Sequence, residues 1–316
     1  MNHFSNMQTN FSTYNIVCVS DENYIQHAAV MLCSLFENNT NKNFYIYLFT
    51  TGIKEETENR LQSLCKQYRA KLICKTYSTN ELSNLPVGQW NTIMYLKLLI
   101  PQLLPSNANR CLFLDVDMII NADINPLYNI DLSDAIIAAA EDMPDCIKYK
   151  QHLGLDQTDS YINSGVIVCD LSKWRNLERK KPIIDFTRSV SKIITNEQDV
   201  IALYFKGNIK ILPIKWNMTT FYFMRKPKIF EKYLSQLKEA RKHPGIIHFA
   251  CPIKPWFKDC QHPYKYLYKF YLKKTIWNNY KYPIFENMTR WGRIKRNIRN
   301  YLNKFGILKD DGYNIA

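Results

Sequence analysis

The sequence predicts an α/β fold whose central sheet is doubly wound and mostly parallel. Through the first half of the chain, apolar segments with strand-like composition alternate with segments whose apolar residues recur at helical spacing. Such alternation is typical of parallel sheets covered by helices on both faces. With 316 residues the chain is long enough for one large domain, or for one domain with an appendage.

The elements follow one another with short polar breaks. In the first half, strands are predicted at 14–20, 44–49, 71–77, 112–120, 135–140 and 161–169, with helices between 24 and 38, at 54–69 and at 91–104. In the second half the pattern is mixed, with helices at 182–194, 197–205 and 231–242 and short strands at 209–212 and 245–249. The chain has no glycine-rich phosphate-binding motif, which weighs against a dinucleotide dehydrogenase or a P-loop NTPase.

The apolar run 112–120 is the stretch around which the chain is organised, and it contains Asp115 and Asp117. Residues two apart on a strand point to the same side, so the two carboxylates are expected to face one another across Val116. Two close carboxylates repel each other unless a cation neutralises them, and oxygen ligands at a strand end suit Mg²⁺ or Mn²⁺. The alternative is a pair of solvated aspartates where a strand meets a loop.

A second polar cluster, Asp21–Asn23, follows the first predicted strand. In open α/β sheets, ligands bind beyond the carboxyl ends of the strands. We therefore expect this cluster and the aspartate pair to share one site.

The net charge of +14 is concentrated towards the end of the chain. Between residues 265 and 304, eleven lysines and arginines face a single acid, Glu286, and aromatic residues are threaded among them. This mixture fits adsorption to an anionic membrane surface, and it also fits nucleic-acid binding or a solvated basic helix with a buried aromatic face. The membrane surface is the favoured interpretation, and no nucleic acid is expected, because the rest of the chain does not resemble a nucleic-acid module.

Cysteine usage and hydropathy predict the compartment. The nine cysteines are odd in number and none form a Cys-x-x-Cys pair, which suits reduced thiols better than disulfides or a zinc site. No apolar run is long enough to span a bilayer, and the polar start, 1–13, is expected to be flexible and lacks the apolar region of a signal peptide. The predicted location is cytoplasmic, peripheral on the inner face of the cell membrane.

Six segments, taken in order, carry a family resemblance. They are Val19–Tyr24, Tyr95–Leu98, Leu112–Asp117, Tyr161–Val166, Asn196–Asp199 and His248–Trp256. Together they resemble the family 8 glycosyltransferases, above all the bacterial lipopolysaccharide and lipooligosaccharide hexosyltransferases, over roughly residues 14–260. The resemblance implies a nucleotide-diphospho-sugar transferase (GT-A-like) fold, a UDP-hexose donor carrying galactose or glucose, a Mn²⁺ (or Mg²⁺) cofactor and retention of anomeric configuration.

The resemblance also implies roles for the matching residues. The metal ligands are expected to be Asp115, Asp117 and His248. Asp21 and Asn23 are expected to bind uracil and ribose, and Lys97 and Lys254 the phosphates. The transferred sugar is expected to be lined by Asn163, Ser164, Gly165, Glu197, Gln198 and Asp199, and Val19, Val116 and Cys251 complete the predicted donor site. The predicted catalytic residues are Gln198, which lies against the anomeric carbon, Asp199 and Lys254.

Two positions depart from the family pattern. Lys97 occupies a position that usually holds arginine, and Cys251 occupies one that is commonly glycine, so donor binding is expected to be weaker or altered. The predicted reaction is transfer of the hexose to a hydroxyl of a lipopolysaccharide-type saccharide. The alternative is a catalytically impaired relative that binds a UDP-sugar. A basic nucleic-acid-binding protein is the more distant alternative.

The catalytic domain is predicted at 14–260, and a membrane-associating extension at 261–316.

Overall fold

The structure, a computed structural model, describes residues 13–78, 82, 84–86, 88, 91–285 and 289–304. The predicted flexible segment 1–13 lies outside these residues except for Thr13, which begins the first strand. The strands are β1 (Thr13–Val19), β2 (Asn43–Thr50), β3 (Lys71–Thr76), β4 (Arg110–Leu114), β5 (Met118–Ile120), β6 (Ile137–Glu141), β7 (Ile162–Asp170), β8 (Ile209–Ile211), β9 (Met218–Thr219) and β10 (Ile246–His248). The helices are α1 (Ile25–Glu37), α2 (Glu55–Gln67), α3 (Ile100–Leu103), α4 (Asn125–Tyr128), α5 (Ile147–His152), α6 (Leu171–Lys180), α7 (Ile183–Ser189), α8 (Glu197–Tyr204), α9 (Leu234–Lys242), α10 (Lys265–Leu272) and α11 (Arg290–Lys304).

The central sheet has seven strands in the order β3-β2-β1-β4-β7-β6-β8. Strands β3, β2, β1 and β4 pair in parallel, as do β6 and β8. Strand β7 pairs antiparallel with both of its neighbours, β4 and β6. The prediction of an α/β fold with a mostly parallel central sheet is therefore confirmed.

Alternate residues of the central strands enter two different cores. Leu112 and Leu114 pack in a core with α1 and α2 on one face, whereas Cys111 and Phe113 pack with residues 93–104, α6 and α8 on the other. Because both faces are buried, the strands are continuously apolar instead of alternating with polar residues. This burial explains why the apolar runs were the strongest signal in the sequence.

The apolar run 112–120 is divided between two sheets. After Leu114, the chain leaves the central sheet and enters a three-stranded sheet of order β5-β10-β9, where β5 pairs antiparallel with β10. The prediction of one strand over 112–120 is wrong, because Asp115 and Asp117 lie in the turn between β4 and β5. Side-chain alternation along a strand is therefore not what brings the two carboxylates together.

Three predicted helices are shorter or less regular than expected. Segment 91–104 begins as a 3₁₀ helix, Thr92–Leu99, and becomes α-helical only in α3, where Pro101 occupies the first turn. Proline has no amide proton to donate, so it is tolerated at a helix start but not in the interior. The helix predicted over 182–194 ends at Ser189, and the one predicted over 231–242 opens with a 3₁₀ turn before α9.

Helix α10 packs onto the body of the protein. Its Tyr268 and Tyr271 are buried, and their hydroxyls contact His27 Nδ1 (2.6 Å) and Asn38 Nδ2 (2.7 Å) of the α1 region. The predicted boundary at residue 261 therefore does not coincide with a break in packing. Among the described residues, no helix is both long enough and apolar enough to cross a membrane.

Candidate active site

The turn that carries the aspartate pair is fixed from both sheets. The Asp115 amide donates to the Gly165 carbonyl in β7 (2.9 Å), and the Phe249 amide, just after β10, donates to the Asp117 carbonyl (3.0 Å). Strand β10 also delivers His248 to the same place. The chain's passage from one sheet to the other thus sets two carboxylates and an imidazole side by side.

Asp115, Asp117 and His248 form a cluster with the chemistry of a divalent-cation site. His248 Nε2 is 3.3 Å from Asp117 Oδ1 and 4.0 Å from Asp115 Oδ2, and one ligand atom from each residue lies within 4.8 Å of the others. Two carboxylate oxygens and one imidazole nitrogen at such spacing suit Mn²⁺ or Mg²⁺. The three residues that the resemblance implies as metal ligands therefore lie together in a cluster that could hold a divalent cation.

Two lysines hold the other oxygen of each carboxylate. Lys97 Nζ lies 3.0 Å from Asp115 Oδ1, and Lys254 Nζ lies 2.5 Å from Asp117 Oδ2. Burial by itself would raise the pKa of Asp117, but Lys254 and His248 outweigh it and hold this pKa well below its usual range. The inner oxygens, Asp115 Oδ2 and Asp117 Oδ1, are left facing the imidazole.

Lys97 also joins the aspartate pair to the start of α8. Its ammonium is fully buried and contacts Glu197 Oε1 (2.9 Å), Ser164 Oγ (3.3 Å) and the Ser164 carbonyl (3.4 Å). Burial would lower the pKa of Lys97, but the carboxylates of Asp115 and Glu197 outweigh it and raise this pKa. Glu197 Oε2 is buried and has no hydrogen-bond partner among the described residues, so it can accept a hydrogen bond from a ligand hydroxyl.

A chain of amide contacts lies behind the metal ligands. The Gly165 amide (3.2 Å) and Asn217 Nδ2 (2.8 Å) both donate to Asn163 Oδ1, and Asn217 Oδ1 lies 2.9 Å from His248 Nδ1. A Cβ at Gly165 would lie 2.6 Å from His248 Cε1 and 2.9 Å from Asp115 Oδ2. Only glycine lets β7 pass this close to the cluster.

Gln198 connects the cluster to a neighbouring cavity. Its Oε1 accepts from the Ser164 amide (3.1 Å), and its Nε2 donates to Asp142 Oδ2 (2.9 Å). Burial raises the pKa of Asp142. Asp142, Glu141, Tyr161 and Phe230 help to line a cavity of about 270 Å³ on that side.

Asp199, which was predicted to be catalytic, is completely buried and engaged with the protein. Its oxygens accept hydrogen bonds from the Tyr161 hydroxyl (2.6 Å), the Thr195 hydroxyl (2.6 Å) and the amides of Ile194 (2.6 Å) and Thr195 (2.8 Å). These bonds hold the turn before Asn196, whose φ of 51° is unusual for a residue other than glycine. Asp199 therefore fixes the turn that leads into Glu197 and Gln198.

The residues predicted to bind the nucleoside lie at the same edge of the sheet. Val19 ends β1, which pairs with β4, so Asp21 and Asn23 follow at the end that carries Asp115. Asp21 Oδ1 accepts from the Tyr24 amide (3.1 Å), an Asx turn at the start of α1, and Asn23 is exposed.

The two remaining predicted donor contacts differ in their exposure. Val116 packs into the core beside α1. Cys251 is partly exposed, and its thiol donates to the Ile253 carbonyl (3.3 Å) in the turn that leads to Lys254.

Sequence reasoning missed two residues that the structure places at the site, Asn217 and Asp142. Neither belongs to a periodic pattern or to one of the six matching segments. The signal that was available is a polar residue close to apolar ones: Asp142 lies two residues after the run 135–140, and Asn217 follows Trp216. Such a residue marks a polar function near a core, but its partner is visible only in three dimensions.

Comparisons with known proteins agree with this arrangement. The family model for glycosyl transferase family 8 matches residues 15–260. General stress protein A of Bacillus subtilis is 27% identical over 84% of this chain and 94% of its own length, and the lipopolysaccharide 1,2-glucosyltransferase of Escherichia coli K12 is 27% identical over 84% and 79%. The crystal structure of the galactosyltransferase LgtC with donor and acceptor sugar analogues has a TM-score of 0.69 at 19% identity, covering 83% of this chain and 96% of that one.

A mostly parallel α/β sheet with a cluster of two aspartates and a histidine at its edge defines a nucleotide-sugar transferase fold of the GT-A class. The chain belongs to glycosyltransferase family 8. The resemblance read from the six sequence segments is thereby confirmed.

Proposed function

We propose that this glycosyltransferase moves galactose or glucose from a UDP-hexose to a saccharide hydroxyl, with a divalent cation and with retention of anomeric configuration. The observation that carries the proposal is the cluster of Asp115, Asp117 and His248, flanked by Lys97 and Lys254. Carboxylates at a strand end bind Mn²⁺ or Mg²⁺ together with substrate phosphates more often than in an all-protein cage. The cationic side chains beside them suit a diphosphate leaving group.

The chain's own residues divide the work of donor binding. Asp115, Asp117 and His248 would hold the cation, which supplies Lewis-acid stabilisation of the charge that develops on the leaving UDP. Lys254, paired with Asp117, would add a positive charge that does not come from the metal. The Oε2 of Glu197, which has no hydrogen-bond partner in the described part of the chain, would accept a hydrogen bond from a hydroxyl of the transferred hexose and so orient the ring.

The fixed amide of Gln198 favours attack on the face from which UDP leaves. A covalent glycosyl-enzyme requires a positioned carboxylate, and Gln198 offers only an amide oxygen that already accepts from the Ser164 amide. In the same-face route, the leaving phosphate takes the proton of the acceptor hydroxyl. NMR of the first product anomers distinguishes the stereochemical outcomes, and an inverted product would reject both retaining routes.

Nucleotide binding is testable without knowing the acceptor. UDP at about one hundred times its dissociation constant should stabilise the protein by about 2.7 kcal/mol, and only when Mn²⁺ is present. Asp117→Asn should abolish this shift, whereas Asp123→Asn, a matched change of an exposed aspartate, should leave it intact. Equal stabilisation of both variants, or no stabilisation of the wild type, would count against a UDP–metal site. Binding of UDP without turnover of any UDP-hexose would instead identify a catalytically impaired relative.

The acceptor is proposed to be a lipid-linked saccharide of the lipopolysaccharide type. One relative is named as a lipopolysaccharide 1,2-glucosyltransferase, and the cavity of about 270 Å³ that adjoins Gln198 offers space beside the reacting carbon. Acidic side chains there, Glu141 and Asp142, can accept hydrogen bonds from sugar hydroxyls.

Helix α11 is proposed to hold the enzyme against an anionic membrane surface. One side of the helix exposes Trp291 (72%), Ile294 (39%), Ile298 (54%) and Tyr301 (64%). The other sides carry arginines and lysines, and the helix contains no acid. An exposed apolar face bordered by cations is the pattern of a helix that lies in the plane of a membrane interface.

The position of α11 relates the membrane surface to the active site. The chain before it is attached beside the active-site loop, where the Phe285 amide donates to Asp259 Oδ2 (3.0 Å) and the Phe285 ring contacts Phe257 at a centroid distance of 5.2 Å. Residues 257–259 follow Lys254 and Trp256 directly. In this proposal, the attachment of Phe285 beside residues 257–259 would bring a membrane bound by α11 to the side of the protein that carries the active-site loop, where a lipid-linked acceptor can reach it.

Vesicle sedimentation tests this docking. Changing Ile294 and Ile298 to serine should lower partition onto phosphatidylglycerol-containing vesicles at least about tenfold, because two apolar side chains leave the interface. Asn297→Ser, on the polar side of α11, is the matched control and should bind as the wild type does. Unchanged partition of the double variant would remove the membrane role, and retention on DNA with a steep salt dependence would favour nucleic acid instead.

A further inference from the structure

One backbone amide determines which atoms donate and which accept in the hydrogen bonds behind His248. The Gly165 amide can only donate, so the Asn163 atom 3.2 Å away from it must be the side-chain oxygen. The Asn217 atom 2.8 Å from this same oxygen must then be the donor, Nδ2, because two oxygens at that distance would repel. Asn217 is thereby oriented with its own oxygen towards His248.

This orientation also determines which imidazole nitrogen donates to Asn217. Asn217 Oδ1 can only accept, so His248 Nδ1, which lies 2.9 Å from it, must carry a proton. With Nδ1 as the donor, Nε2 is the nitrogen left to bind a cation, and it faces Asp117 Oδ1 and Asp115 Oδ2. Through the side chains of Asn163 and Asn217, the Gly165 amide therefore determines which nitrogen of His248 is available to bind a cation.

We infer that Asn217 is a positioning residue that presents His248 Nε2 to the cation and ties the metal site to Asn163 in the predicted sugar site. This inference rests on the proposed function for the identity of the ligands. The side chain of Asn217 is almost completely buried, and its two polar atoms each have a partner in a different half of the site. Outer partners of metal-bound histidines fix ring orientation, and their loss commonly lowers metal affinity 10- to 100-fold.

Two substitutions separate the two contacts of Asn217. Asn217→Leu removes both, so the affinity for Mn²⁺ measured without nucleotide should fall about 10- to 100-fold. Asn217→Asp keeps an acceptor for the Nδ1 proton, so its Mn²⁺ affinity should stay within about threefold of wild type. It places an oxygen against Asn163 Oδ1, however, and should weaken binding of the UDP-hexose in the presence of saturating Mn²⁺.

Electron paramagnetic resonance of free Mn²⁺ gives the metal affinities, and thermal unfolding of the metal-free proteins reports any general damage. Thr219→Val is the matched control, because Thr219 is also buried in β9 and its change should leave Mn²⁺ affinity unaltered. In the Mg²⁺-loaded protein, the Nδ1 proton of His248 should be protected from exchange in the wild type and in Asn217→Asp but not in Asn217→Leu.

The inference is overturned if Asn217→Leu binds Mn²⁺ as the wild type does, if Asn217→Asp loses as much affinity as Asn217→Leu, or if the wild type binds no divalent cation. A wild type that binds Mn²⁺ with these variant effects, but binds no UDP-sugar, would support the role of Asn217 and reject the proposed transfer reaction. The experiment therefore distinguishes failure of the role inferred for Asn217 from failure of the proposed transfer reaction.

Discussion

Removal of the Lys97 ammonium should destabilise the protein more than removal of any comparable surface charge. Lys97 is 1% exposed and lies 3.0 Å from Asp115 Oδ1 and 2.9 Å from Glu197 Oε1. In Lys97→Met the net charge of these three groups changes from −1 to −2 with no loss of burial. We expect the free energy of unfolding to fall by about 3–5 kcal/mol. Loss of two charge-assisted hydrogen bonds costs about 1.5–3 kcal/mol each, and breaking a buried ion pair costs about 3–5 kcal/mol, so both comparisons give this range.

A second substitution tests whether charge is the cause. Glu197→Gln in the Lys97→Met background restores the net charge of −1, so it should recover at least about 2 kcal/mol of the lost stability. Urea unfolding in the presence of a chelator provides the free energies for the four proteins of this cycle.

The matched control is Lys206→Met. Lys206 also bridges two carboxylates, Asp156 and Asp159 at 2.8 Å each, but it is exposed and solvent screens its charge. A loss in Lys97→Met as small as that in Lys206→Met, or no recovery on adding Glu197→Gln, would refute the reasoning.

Three further predictions follow from single contacts. Gly165→Ala should lower Mn²⁺ affinity at least about tenfold in an isotope- or spin-based titration, because the new Cβ displaces His248; unchanged affinity would contradict the close approach. Burial lowers the pKa of His27 to about 3, so below about pH 6.5 the unfolded state gains a proton that the folded state does not, and unfolding free energy should fall by about 1.4 kcal/mol by about pH 5.5. His27→Phe should reduce this slope between about pH 7 and 5.5, and an unchanged slope would assign it to other groups. Arg175 donates to five backbone carbonyls between residues 101 and 108, so Arg175→Ala should cost about 2 kcal/mol or more in urea unfolding, while Arg179→Ala should cost little.

The sequence was sufficient for the central sheet and for the two aspartates of the Asp115–Asp117–His248 cluster. Burial on both faces made the central strands continuous apolar runs, which are easy to find and to count. His248 lies far along the chain from Asp115, and no local pattern connects the two. The family resemblance made that connection, because it matched several segments in one order.

What the sequence could not show is where an apolar run changes its partner. The run 112–120 has the same composition in β4 and in β5, since both strands are buried, yet they belong to different sheets. The tyrosines of α10 posed a similar problem. Among lysines they resemble a membrane-binding surface, but Tyr268 and Tyr271 share one side of the helix and that side packs on α1. Composition describes the segment, and only the three-dimensional contacts decide which side is covered.

The charge balance of the site explains why donor binding should require the metal. Three carboxylates, those of Asp115, Asp117 and Glu197, face two ammonium groups, those of Lys97 and Lys254, so these five side chains carry a net charge of −1. A diphosphate would be repelled by such a site, even though two lysines lie within it, because each lysine is already paired with a carboxylate. One divalent cation reverses the net charge to +1 while the lysines stay in place. Under the proposed function, the two lysines would therefore hold the carboxylates in place, and their charge would help to bind the diphosphate once a cation has offset the carboxylates.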